Sequence, residues 1–257
     1  MKANVADLVS GMLAGSQSSL AKLITLMESY SSDVPKIMEM ISPHLEKAYC
    51  VGITGAAGVG KSTLASALAT TARDKGLSVG IVAADPSSAL HGGAVLGDRV
   101  RMQQHFLDSQ VFIRSMATHG SQGGLPRCIG NVTKLLDAFG KDIIIVETIG
   151  VGQTETNITE VADTIVLVLS PEFGDSIQFM KAGLIEIADV IVVNKADHGY
   201  AENLVSELKT LLSLSPNSAK HGTAVLTTQA INNVGIEELY QELENRRRIL
   251  KAARQPH

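Results

Sequence analysis

Gly55-Ala56-Ala57-Gly58-Val59-Gly60-Lys61-Ser62 is the stretch from which the rest of the chain is read. It fits G-x-x-x-x-G-K-[ST] at every fixed position, and Thr63 carries it on into a helical pattern. Backbone N–H groups and a helix N-terminus can solvate phosphates only where the chain approaches them closely. Gly55, Gly58 and Gly60 remove the obstructing side chains and permit positive φ angles. Lys61 can bridge β- and γ-phosphates as a point charge, and the Ser62 hydroxyl is a candidate Mg²⁺ ligand. The apolar run before the motif and the helical run Lys61–Lys75 after it supply the strand–loop–helix context that such a loop needs.

Outward from that loop the texture repeats. Apolar runs of strand length lie at Cys50–Thr54, Val79–Ala84, Val111–Arg114, Ile143–Glu147, Thr164–Leu169, Val190–Val193 and Ala224–Thr227. Helical patterns separate most of them, at Leu125–Phe139, Asp175–Ile187, Ala201–Leu212 and Ile236–Arg248. Fully apolar strands alternating with helices predict an α/β doubly wound, mainly parallel sheet of about seven strands, covered on both faces. In such sheets ligands bind beyond the carboxyl ends of the strands. Ahead of the sheet, Val5, Leu8, Val9 and Met12, then Leu20, Leu23, Ile24 and Met27, recur at helical spacing, and Pro35 can open a third helix. The expected organisation is a helical segment over 1–45 and a nucleotide-binding domain over 46–257.

The loops after the apolar runs carry the residues with functional chemistry. Asn194-Lys195-Ala196-Asp197 follows Val190–Val193. A carboxylate there can accept from both N1–H and the 2-amino group of guanine, donors that adenine lacks at that edge. Asn194 can hold the loop, and the Lys195 stem can cover the base. Thr228-Gln229-Ala230 sits where a second base-contacting loop is expected, so Gln229 and Ala230 join the nucleotide residues. Glu147, ending the run Ile143–Val146, can hold Mg²⁺, and the Gly150 N–H can meet a γ-phosphate. Asp85 and Asp98 bracket a Gly- and Ser-rich loop suited to sensing nucleotide, and either can complete a metal shell. Pro171-Glu172-Phe173-Gly174-Asp175, with Gln178 and Lys181, is a third such segment. Val151-Gly152-Gln153 stands where a water-activating Gln would directly follow Gly150, which predicts slow intrinsic hydrolysis stimulated by a partner.

Composition removes other classes. The net charge is −4, aromatic residues make up 4 % and Trp is absent, so nucleic acid is not the expected partner. No apolar run approaches the roughly 20 residues needed to span a bilayer, and no membrane role is expected. Cys50 and Cys128 are too few for a disulfide framework, and the N-terminus lacks a signal-peptide pattern; together they predict a cytoplasmic protein with reduced thiols. The basic residues Arg246, Arg247, Arg248, Lys251 and Arg254 read as a solvated helix end. The histidines lack ligand spacing with either cysteine, which disfavours zinc.

Taken together, these motifs resemble the MeaB/ArgK-type GTPases, the group that includes methylmalonyl-CoA mutase-associated chaperones. The resemblance covers nearly the whole chain. It rests on Gly52–Thr63, Asp85–Ser88, Gly92-Gly93 to Leu96–Arg99, Ile113–Thr118, Gly123–Leu125, Glu147–Gln153 and Gly174-Asp175 to Asn194–Asp197. Glu147, where most P-loop GTPases carry Asp, is itself characteristic of the group. The resemblance implies a Mg²⁺-dependent GTPase that docks on the cobalamin-binding domain of an adenosylcobalamin-dependent acyl-CoA mutase, gates cofactor loading and protects the mutase. On that basis Gly55–Thr63 hold the phosphates, with Lys61, Asp98, Glu147 and Gly150 in the hydrolytic machinery. Ser62, Asp98 and Glu147 form the metal site with Asp85 close by, and Asn194, Lys195 and Asp197 hold guanine in GTP or GDP. Asp175 and Lys181 would belong to the switch facing the mutase. His119 stands where the family usually has Arg. Relatives also carry a C-terminal extension used in dimerisation beyond the point where this sequence stops, which leaves a homodimer open. Two other classes share the phosphate loop: a metallochaperone GTPase, which calls for clustered His and Cys, and a P-loop small-molecule kinase, which calls for an Arg-rich lid.

Overall fold

Residues that alternate along each apolar run separate cleanly between two faces of one sheet. The computed structural model describes residues 4–45, 47–85, 102–118, 124–150, 155–173, 183–214 and 222–254. Its strands are β1 (Tyr49–Thr54), β2 (Val79–Asp85), β3 (Val111–Ala117), β4 (Ile143–Glu147), β5 (Thr164–Leu169), β6 (Val190–Val193) and β7 (Ala224–Thr227). They form one seven-stranded sheet in the order β3-β2-β4-β1-β5-β6-β7. Every pairing is parallel, as the fully apolar strands require. The helices are α1 (Val5–Leu13), α2 (Gln17–Glu28), α3 (Val34–Ile41), α4 (Lys61–Asp74), α5 (Ile129–Ala138), α6 (Leu184–Ile187), α7 (Ala201–Leu214) and α8 (Ile236–Arg254).

Ile143, Ile145, Val166 and Val168 face α4 and α8, whereas Ile144, Val146 and Ile165 face α5 and the N-terminal helices. Leu167, Leu169, Ile191 and Val193 pack with α6 and α7. Side chains of α1, α2 and α3 therefore share a core with the sheet. Asn4 and Ser16 cap α1 and α2 by accepting from Ala6 N–H and Ser19 N–H, each at 3.2 Å. Arg114 of β3 pairs with Glu28 and ties α2 to the sheet edge. Among the described residues no helix is long and apolar enough to cross a membrane.

Three expectations differ from the structure, and a fourth is described only in part. The helix expected from Leu125 starts at Ile129, because Pro126 lacks an N–H and disfavours helical geometry in the residue before it. β3 runs on to Ala117 through its register with β2, past the polar Arg114 and Ser115 that obscured it. Of the helix expected over Asp175–Ile187, Leu184–Ile187 is described, and 174–182 lie outside the described residues. The basic end of α8 is not simply solvated: the side chains of Arg246 and Arg247 are each only 13 % exposed. Arg246 bonds Glu242 at 2.8 Å and Gly222 O at 2.8 Å, with Asp189 at 3.7 Å. Arg247 reaches Glu244 and Asp142 O, and Arg254 meets Asp163 at 2.7 Å. These contacts clamp α8 across the amino ends of the strands.

Gly52 is where the backbone of β1 meets the 3-10 turn Glu155–Glu160. A Cβ there would lie 2.6 Å from Ile158 Cδ1 and 2.9 Å from Ala162 Cβ. Gly52→Ala is expected to destabilise the protein by roughly 1–3 kcal/mol, the usual range for overpacking. Adding Ile158→Val should recover part of the lost urea midpoint, and purely additive losses would contradict steric coupling.

Lys141 is 4 % exposed and donates to Gln110 O at 2.7 Å. Burial, reinforced by Arg73, pushes its ammonium down from 10.5 to about 8. Between these values the unfolded chain holds a proton that the folded protein has released, so stability rises with pH through that window. Burial raises the Tyr49 phenol above its ordinary 10, which acts in the opposite sense only at higher pH. Urea titrations of Lys141→Met between pH 7.5 and 10 should show a flatter profile than wild type; an unchanged slope would contradict the assignment.

Candidate nucleotide site

The loops at the carboxyl ends of β1, β4, β5, β6 and β7 converge at one end of the sheet, around the order reversal that places β1 between β4 and β5. Gly55, Gly58 and Gly60 have φ of +139°, +82° and +97°. A Cβ on Gly55 would strike the Val168 carbonyl, and one on Gly60 would strike Asn194 Nδ2. Glycine is thus demanded by close approach as well as by backbone angle. Ala57 and Gly58 are exposed on the rim, while Val59 is buried and anchors the loop.

Lys61 and Ser62 open α4 and are both buried. Lys61 Nζ donates to Gly55 O at 2.9 Å and Ala56 O at 3.0 Å, so its ammonium curls over the loop that precedes it. Ser62 Oγ donates to Glu147 Oε1 at 2.6 Å across the gap between α4 and the end of β4. A buried carboxylate beside a hydroxyl is a hard oxygen pair of the kind that suits Mg²⁺. Asp85 ends β2, two positions beyond Ala83, the register partner of Glu147, and is also buried. Gly150 follows at φ +89°, its carbonyl accepting from Ala57 N–H at 3.1 Å. A Cβ on Gly150 would sit 2.7 Å from Ala57 N and 2.8 Å from Gly55 O, which leaves room only for glycine.

Asn194 is the junction of the other half. Its Nδ2 donates to Val59 O at 2.9 Å, while its Oδ1 accepts from Thr228 Oγ1 and from Ala230 N–H, each at 3.0 Å. One buried amide therefore joins the phosphate loop to the loops after β6 and β7. Asp197 stands on the rim with its side chain 52 % exposed. Lys195 has φ +57°, and its ammonium meets Glu172 Oε2 at 2.6 Å. That bond holds the Glu172 carboxyl below the ordinary carboxylate range. The Gln229 side chain accepts from Asn232 Nδ2, and its backbone N–H bonds Val234 O.

The structure brings Gly55–Thr63, Asp85, Glu147, Gly150, Asn194–Asp197, Gln229 and Ala230 to one end of the sheet. Asp98, His119, Gln153, Asp175, Gln178 and Lys181 lie outside the described residues. Two contributors lie in segments the sequence marks without giving these side chains a partner: the Thr228 hydroxyl, which completes Asn194, and Glu172, which meets Lys195 from the neighbouring strand exit. Neither pairing follows a local spacing rule.

The comparisons agree with this architecture. The family model for the methylmalonyl-CoA mutase-associated GTPase MeaB matches residues 20–256. A Pyrococcus abyssi protein whose name assigns it to the GTPases is 46% identical over 248 residues, covering 95% of this chain and 76% of the relative. The methylmalonic aciduria type A homolog of Caenorhabditis elegans is 38% identical over 209 residues, covering 76% of this chain and 52% of that protein. Among solved structures, a LAO/AO transport system kinase superposes with TM-score 0.77 at 25% identity, over 99% of this chain and 78% of the other. HypB from Helicobacter pylori shares the fold, with TM-score 0.58 at 19% identity, over 84% of this chain and 94% of the other. With the family model spanning nearly all of the sequence, this chain is a GTPase and belongs to the methylmalonyl-CoA mutase-associated MeaB family.

Proposed function

We propose that the protein is a cytoplasmic, Mg²⁺-dependent GTPase chaperone that gates adenosylcobalamin loading of an acyl-CoA mutase and protects that enzyme. The observation that carries the nucleotide reading is the Asn194 side chain, bonded to Val59 O on one side and to Thr228 and Ala230 on the other. It links the phosphate-binding and base-reading halves through one rigid amide. The partner is supported by family membership and by the name of the C. elegans relative. In this reading, residues 1–45 form a helical segment on a GTPase domain of 46–257.

Gly55–Thr63 cradle the phosphates with backbone N–H groups, and Lys61 exchanges its bonds to Gly55 O and Ala56 O for phosphate oxygens. Ser62 and Glu147, with Asp85 also buried at the end of β2, would supply oxygen ligands for Mg²⁺, and Asp98, outside the described residues, would join that set. When bound, that cation would neutralise charge on the β- and γ-phosphates. Gly150 lies against the same loop through its contact with Ala57 and is placed to report on the γ-phosphate. Asn194, Lys195 and Asp197 read guanine, with Gln229 and Ala230 lining the second loop. Asp175 and Lys181 carry the nucleotide state to the mutase.

Exchanging Asp197 for Asn reverses the donor–acceptor pattern offered to the base. It should lower GDP affinity by roughly tenfold or more while improving xanthosine diphosphate binding, the range expected for a lost charged hydrogen bond. Calorimetry giving equal ATP and GTP affinities for the wild type would overturn the guanine assignment.

By linkage, a mutase that binds the GTP-ordered loops better must tighten GTP binding by the same factor. Phosphate release measured with and without a cobalamin-dependent acyl-CoA mutase from the same host should show stimulation. No stimulation and no nucleotide-dependent complex would leave a GTPase and remove the chaperone role.

A further inference from the structure

β5 and β6 leave the sheet side by side, because Asn194 N–H donates to Leu169 O at 2.8 Å. The chain after β5 then folds into the 3-10 turn Pro171–Phe173. That turn carries Glu172 back against the base-reading loop. Glu172 Oε2 accepts from Lys195 Nζ at 2.6 Å, and Oε1 lies 3.3 Å from His198 Nδ1. His198 Nε2 is 3.9 Å from Asp197 Oδ2, too far for a hydrogen bond, so the direct link is to Lys195.

We infer that Glu172 is a positioning residue for the guanine base, acting through Lys195. The inference rests on the guanine reading above and adds to it a residue from a different strand exit. A lysine stem is long and flexible, and covering a planar base requires it to be held in one arrangement. Two features of the structure hold it. The left-handed backbone at Lys195 directs where the stem leaves the loop, and Glu172 fixes the far end. The stem between these two points is ordered before any ligand arrives, which lowers the entropy lost on binding. The ion pair itself is partly exposed, with side chains 29 % and 39 % accessible, and pairs of this kind add little to fold stability. Its consequence should therefore be read in the ligand and not in the melting temperature. Because the stem covers the face of the base, the effect falls on any purine at this site and not on the phosphates.

The test is a double-mutant cycle on the full chain with Glu172→Gln, Lys195→Ala and the pair, titrated with GDP and with inorganic tripolyphosphate. Glu172→Gln should weaken GDP binding about three- to fivefold, the scale of an exposed charge pair, and leave tripolyphosphate affinity unchanged. In the Lys195→Ala background the same change should have no further effect on GDP. An undiminished loss in that background would overturn the proposal, as would equal weakening of both ligands or no change in GDP affinity. Asp197→Asn, run in parallel, separates the two readings. If it fails to shift preference from GDP toward xanthosine diphosphate, the guanine assignment itself falls. If it shifts that preference while Glu172→Gln is silent, only the role of Glu172 falls.

Discussion

A single buried amide sets the spacing between the two halves of the site. Asn194 uses both ends of its side chain, donating to the phosphate loop and accepting from the Thr228 hydroxyl and the Ala230 N–H. In a buried setting each of these bonds replaces solvation that the groups have lost, so the three loops are held together by the cost of separating them. Gly60 has to be glycine for the same reason, since a Cβ would occupy the space of the Asn194 amide. The phosphate loop, the loop after β6 and the last strand exit are thus tied together, although they come from distant parts of the chain.

The two ends of the sheet are built on different physical terms. At the amino ends, α8 is clamped by Arg246, Arg247 and Arg254 onto acids and carbonyls of the strand entries. Asp142 fixes the start of β2 there by accepting from Ser78 N–H and Ser78 Oγ, and Asp163 and Asp189 accept from Cys50 N–H and Ile165 N–H in the same manner. At the carboxyl ends the charged groups are turned on the loops themselves: Lys61 on Gly55 O and Ala56 O, Ser62 on Glu147, Lys195 on Glu172. Buried charge is tolerated only where it is paired or hydrogen-bonded. A polyanionic ligand with a cation can compete for such partners, because it offers charge-assisted bonds in place of neutral carbonyls. Rigidity at one end and exchangeable polar contacts at the other suit a protein whose loops respond to a ligand.

Much of this was legible in one dimension. Apolar runs of strand length, separated by helical periodicity, dictate a parallel sheet, because such strands must be covered on both faces. Four strands, from Ile143–Glu147 onward, have the limits that their apolar runs suggest. The errors lie where local signals are mixed: Arg114 and Ser115 hid the end of β3, and Pro126 displaced the start of α5. The phosphate loop was readable because its requirements are local, a glycine at each close approach and a lysine at the helix start.

What the sequence determined by itself is therefore the class of fold, the phosphate loop and the candidate base-reading loop, each written in consecutive residues with its own backbone constraints. Only the tertiary structure decided which distant groups meet them. Thr228 completes Asn194, Glu147 receives Ser62, Glu172 holds Lys195, and Arg246 and Arg247 of α8 lock strand entries instead of facing water. None of these pairs follows a periodicity, because strand order, and not sequence distance, sets which loop ends lie side by side. The crossover that puts β1 between β4 and β5 brings Ser62 to Glu147, and the adjacency of β5 and β6 brings Glu172 to Lys195. Hydrogen bonds and charge pairs act over a few ångströms, so their partners exist only after the sheet has been assembled.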